Sequence, residues 1–216
     1  VIKSDLSIEG GGFETNGCGT VILVESVILE RNPGWDKKTI ELELKQKFNV
    51  KSVIWLPNGL AEDPYYMEHL YGSFFGFGTG GHSDEFVRFV NDSTIFLAWE
   101  FSPPDANFPL RKENIERMSR NLNILESFID WRGVSFKVEK VPMPVLFYKQ
   151  AVLDSLTTQY INNEYPDLNV SVGGIINEVA CAGYLNFILS NTQVIIPEYW
   201  HYSVPEIQKE RDSIAK

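Results

Sequence analysis

His82 and Asp84 stand two residues apart in GFGTGGHSDEFVRFV, directly behind a run of glycines. The chain has three histidines. At positions i and i+2 of a strand, both side chains would project from one face. Glu9, in IEGGG, holds a similar place before a strand-like run, with Glu14 a few residues on. Asn186 holds the corresponding place in GYLNFIL. An imidazole and two carboxylates that converge can hold a planar cation and move its protons. The plain alternative is a surface His–Asp pair or a hydrogen-bonded sheet edge.

Other chemistries find less support. His82 and Asp84 would supply two metal ligands, but neither Cys18 nor His69 has the spacing to finish a tetrahedral site. No metal and no cofactor are expected. A serine nucleophile lacks its GxSxG elbow. The clusters GGG and GGH lack the partners of a phosphate loop or a dinucleotide fingerprint. Cys18 falls in a turn and Cys181 in VACAG. Neither neighbours an Arg, Lys or His in sequence, so both read as structural thiols.

The elements that must position these groups recur. GFETNGCGTVILVESVIL, GHSDEFVRFVNDSTIFLAW and GYLNFILSNTQVIIPEYW each open with Gly. Each has turn residues in the middle and then a β-branched run, the pattern of a β-hairpin. After the first comes KKTIELELKQKF, with Ile40, Leu44 and Phe48 at helical spacing. After the second comes ENIERMSRNLNILESF, with Ile115, Met118, Leu122 and Leu125 on one face. After the third, Ser203 and Glu206 have capping-box spacing. The strands VKSVIWLP and VSFKVEKVPMP follow the first two helices. The expected fold is α/β, with units of hairpin, helix and strand at 8–57, 81–142 and 183–216, the last unfinished, in a single domain. Such units bury their apolar faces against neighbours around a pseudo-symmetric axis. Insertions are expected at 61–79 and 149–182. The first, rich in Tyr, Phe and Gly, reads either as a lid over the site or as a loop packed on the core.

The 216 residues suit one large domain, and 44% hydrophobic content suits a buried core. A formal charge of −10 argues against a nucleic-acid partner. No apolar run approaches a membrane span. Two cysteines make no disulfide framework, and a reducing, cytoplasmic setting is expected. A homo-oligomer is left open. The chain begins without Met, as though cut from something longer.

The segments IEGGGFETNGCGTVILVESVILERNPGWDKKTIE, VKSVIWLPNGL, TGGHSDEFVRFVNDSTIFLAW and GYLNFILSNTQVIIP resemble the agmatine deiminase and bacterial-type peptidylarginine deiminase family. The resemblance covers nearly the whole chain. It implies a pentein fold, an α/β propeller of about five units around a central site. It implies a hydrolase for a small guanidino substrate: agmatine, giving N-carbamoylputrescine and ammonia, or arginine or peptidyl-arginine. By motif, His82 would be the general acid/base and Asp84 would bind the guanidinium. Glu9 would orient His82 or share that grip, with Asn186 at the rim. The family's arginine–aspartate motif and its GGxxHC motif, which carries the nucleophilic cysteine, are not found in these residues. The chain is therefore expected to be incomplete at both ends and inactive by itself, or else a non-catalytic relative that binds a guanidino ligand.

Overall fold

The computed structural model describes residues 2–101, 109–144 and 146–199. The first unit is a hairpin of β1 (Phe13–Thr15) and β2 (Thr20–Val24), then α1 (Glu25–Arg31), α2 (Lys37–Lys47) and β3 (Ser52–Leu56). The hairpin turn is held by Asn16, whose side-chain oxygen accepts from Cys18 N at 2.9 Å and Thr20 N at 3.1 Å, as an Asx turn should. β3 returns parallel to β2 in the order β1-β2-β3. Parallel pairing needs a long crossover, and the two helices supply it. Every residue of β2 is buried, because both faces are covered.

Alternation along these strands divides the interior. Val21, Leu23 and Val53 face Ile28, Ile40 and Leu44 of the helices. Ile22, Val24, Ile54 and Leu56 face the main core. Asp36 caps α2, accepting from Thr39 N at 2.7 Å. Phe48, expected on the buried face of α2, instead follows its last turn and is about half exposed. The β-branched run VILV ends β2, and the chain turns into helix at Glu25.

The second unit repeats this path with β6 (Val87–Phe89), β7 (Thr94–Trp99), α3 (Pro109–Ser127) and β8 (Lys137–Pro142), ordered β6-β7-β8 with β8 parallel to β7. Met118 and Leu125 of α3 join Phe86, Ile95 and Leu97 in the main core. The same helix face buries Asn114 and Asn121, seven residues apart and so on one side. Asn114 accepts from Ala61 N at 2.8 Å and donates to Glu62 at 2.7 Å. Asn121 donates to Asn58 O at 2.9 Å. These amides tie the 58–62 segment to the helix. A short antiparallel pair, β11 (Ile188–Leu189) with β12 (Val194–Ile195), occupies the third hairpin. The capping box expected at Ser203 and Glu206 lies outside the described residues.

The two expected insertions meet. The aromatic stretch is no loop: it forms β4 (Tyr65–Tyr71) and β5 (Phe74–Thr79). With β9 (Tyr148–Val152) and β10 (Ile175–Val179) they make a four-stranded sheet ordered β4-β5-β10-β9. Helix α4 (Ser155–Glu164) covers it, and Met67, Phe75, Leu153, Ile161 and Ile176 form a separate small core. The four sheets described are distinct.

Candidate active site

Two turns build the site. Residues 9–12 curl so that Gly12 N donates to Glu9 O at 3.1 Å. Residues 83–85 form a single 3-10 turn after His82, rather than the expected strand. The turns dock: Asp84 N donates to Gly11 O at 3.3 Å, and Ser83 Oγ donates to the same oxygen at 2.8 Å. Gly11 has φ +84°, and a Cβ there would lie 2.7 Å from His82 Nδ1 and 2.8 Å from both Asp84 oxygens. Glycine is required on both counts.

The docking brings Glu9, His82 and Asp84 together. His82 Nε2 and Glu9 Oε1 are 2.7 Å apart, and His82 Nδ1 lies 4.0 Å from Asp84 Oδ1. The His82 side chain is 13% exposed, while Glu9 is 41% exposed, so the pair borders solvent at the carboxylate end. The hydrogen bond with His82, helped by Arg31, lowers the Glu9 pKa. Among the described residues, His82 is the one basic side chain within 4.0 Å of the Asp84 carboxyl oxygens.

Sequence reasoning gave Arg31 no role. It ends α1, where its Nη2 lies 2.9 Å from Glu9 Oε1 and donates to Thr79 O at 2.9 Å. Its guanidinium carbon stacks 4.4 Å from the Tyr65 ring centre. Arg31 and His82 thus share one oxygen of Glu9. The available signal was RNP, but a contact spanning 22 residues leaves no spacing pattern.

Asn186 meets none of the three directly. It donates to Glu85 Oε1 at 2.8 Å, one residue beyond Asp84. Burial raises the pKa of Glu85. Glu14 faces elsewhere, 2.9 Å from Arg88 Nε, and burial raises its pKa too. Cys18 is exposed at the first hairpin turn. Burial pushes the Cys181 thiol well up, and Glu62, Glu85, Asp63 and Asp84 add to the effect. A thiol so placed stays protonated and is a poor nucleophile. Among the described residues no group of three His, Cys, Asp or Glu side chains is arranged to hold a metal ion. No helix among them is long and apolar enough to cross a membrane.

The sequence pattern of the Porphyromonas-type peptidyl-arginine deiminases matches residues 1–210. The chain belongs to that family. It is 30% identical over 194 residues to the agmatine deiminase of Pseudomonas putida, covering 89% of this chain and 45% of that one. The agmatine deiminase of Pseudomonas fluorescens Pf-5 is 29% identical over the same extent. The structure of the Enterococcus faecalis agmatine deiminase superposes with a TM-score of 0.64 at 25% identity, over 99% of this chain and 51% of that one. The C. jejuni agmatine deiminase shares the fold at a TM-score of 0.56 and 22% identity, over 98% of this chain and 48% of that one. The chain therefore spans about half the length of these relatives.

Proposed function

We propose that this chain carries the guanidino-binding and proton-transfer part of an agmatine deiminase-like enzyme. The observation behind the reading is the Glu9–His82–Asp84 cluster closed over Gly11. The Asp84 carboxylate would take the flat guanidinium through paired N–H donors, a charge-assisted geometry. Glu9 would hold the His82 ring in place. Asn186 would steady Glu85, behind Asp84, at the rim.

The guanidinium carbon is a poor electrophile for water, so a thiolate would add to it first. His82 would give a proton to the departing nitrogen, which leaves as ammonia. Water would then lose a proton to His82, add to the same carbon and expel the thiolate. With agmatine the product is N-carbamoylputrescine. In this reading the thiol comes from outside these 216 residues, since Cys181 is held protonated and Cys18 lies in an exposed turn. The hairpin–helix–strand units would then be blades of a propeller around the site. The family's description favours peptidyl-arginine as a second substrate class.

Calorimetric titration of the 216-residue protein with agmatine and with a C-terminal arginine peptide tests the reading. Agmatine is expected to bind more tightly. Asp84→Asn is expected to weaken agmatine at least about tenfold, the value of one lost charged contact, and Cys181→Ser to leave it unchanged. Binding indifferent to Asp84→Asn would remove the proposed site. Preference for the peptide would transfer the reading to the second class.

A further inference from the structure

The root of the β4–β5 hairpin carries an acid that the proposed chemistry does not use. Asp63 immediately precedes the hairpin and is 3% exposed. Its carboxyl group accepts four hydrogen bonds, from Thr79 at the end of β5 and from Gly81 and His82 just beyond it. Thr79 N reaches Oδ1. Thr79 Oγ1 at 2.7 Å, Gly81 N at 3.1 Å and His82 N at 2.9 Å all reach Oδ2. His82 N also donates to Thr79 Oγ1 at 3.2 Å. The approach is tight: a Cβ on Gly78 would collide with the Asp63 carboxylate and come within 2.8 Å of its Cα.

We infer that Asp63 is a positioning residue for His82, acting on its backbone. This inference rests on the deiminase reading for its catalytic consequence, but not for its structural one. The β4–β5 hairpin begins just after Asp63 and ends at Thr79, so the two residues close its base. Ser26 Oγ donates to Gly80 O at 2.8 Å, but the amides of Gly81 and His82 both point to Asp63, and without that tie the two glycines would let His82 swing. A buried carboxyl group with four inward-pointing donors makes a rigid ring of the turn, since each lost donor leaves a buried oxygen short of a hydrogen bond. His82 is then fixed from two sides: its backbone by Asp63 and its ring by Glu9. Asp84 is held separately, through Gly11. Loosening Asp63 should therefore disturb His82 more than the guanidinium grip.

Two measurements test this. Amide hydrogen exchange at Gly81 and His82 is read in the 216-residue protein, in Asp63→Asn and in Thr79→Val. The Thr79 variant keeps the Asp63 carboxyl and removes one of its donors, so it stays informative if Asp63→Asn fails to fold; it also removes the Thr79 Oγ1 that accepts from His82 N, so the Gly81 amide, bonded to Asp63 alone, is the deciding readout there. Turnover of agmatine is read with the same substitutions in the full-length encoded protein. Both variants are expected to speed exchange at these two amides at least about tenfold, with β2 amides unchanged. The kcat is expected to fall roughly tenfold or more with KM within about twofold, as misplacement of one proton-transfer group predicts. Unaltered exchange at Gly81 and His82 in Thr79→Val and in folded Asp63→Asn would overturn the inference. So would kcat and KM changing together. If exchange quickens while the unsubstituted full-length protein releases no ammonia, the positioning of His82 stands and the deiminase reading falls.

Discussion

At Gly11 the site depends on an atom that is missing. A left-handed φ costs a side chain about 1–2 kcal/mol, and an added methyl would press between His82 and Asp84. Gly10 is the natural control, since a Cβ there meets nothing within 4 Å. Gly11→Ala is expected to cut agmatine affinity at least about tenfold, by forcing the two side chains apart. Gly10→Ala is expected to match the unsubstituted protein. Calorimetry with both variants reads the difference, and equal binding would mean that the two turns need not touch. At this scale the sequence was informative about residue types. EGG and GHSD marked Glu9, His82 and Asp84, which the structure brings together. Their local geometry was not legible, because the spacing reads as one face of a strand, whereas His82 stands just before a 3-10 turn that carries Asp84. Arg31 was hidden because nothing in ESVILER marks a short helix that would carry it to Glu9, 22 residues earlier.

Elements were legible where apolar spacing was regular and obscure where polar residues were buried. α2 and α3 follow their periodic residues, apart from Phe48. The polar face partners of α3 broke the pattern: Asn114 and Asn121 look like surface residues and instead clasp the 58–62 segment. Glu62 is drawn inside with them and is 3% exposed. Burial raises its pKa above the ordinary 4.5, and the Asn114 hydrogen bond does not cancel this. The folded state therefore holds the Glu62 proton more firmly than the unfolded chain does. Stability is lost as pH rises from the ordinary value through the raised one. Glu62→Gln keeps an acceptor for Asn114 and removes the charge. It is expected to stabilise the protein at pH 7 by on the order of 1 kcal/mol, or roughly 2–4 °C in Tm for a chain of this size. The gain should vanish below the ordinary carboxylate value, where Glu62 is protonated in both states. Thermal melts of the two proteins across pH check the sign, and a Gln variant less stable at pH 7 would show that the charge is wanted there.

Across the whole molecule, the paths β1-β2-β3 and β6-β7-β8 were legible because each closes locally. The added sheet was not, because β5 pairs with β10 across about a hundred residues and no local pattern encodes such a match. Two stretches that read as separate insertions contribute the halves of one sheet. That sheet has its own core of Met67, Phe75, Leu153, Ile161 and Ile176, apart from the main core that holds Ile22, Ile54, Phe86 and Leu97. Separate cores permit separate opening, since cooperative units follow shared burial. Native-state hydrogen exchange is expected to show β5 and β10 opening together, at least about tenfold more often than β2 and β7. All four are interior strands of their sheets or lie between paired neighbours, so edge fraying does not explain a difference. The Gly81 and His82 amides should follow the main core rather than the added sheet, because the Asp63 tie closes the chain beneath the hairpin. If β5 and β10 exchange only with global unfolding, the two cores are one cooperative unit. If they open early and carry His82 with them, the hairpin is a part of the site itself, and its motion would set how long the imidazole stays aimed at a substrate.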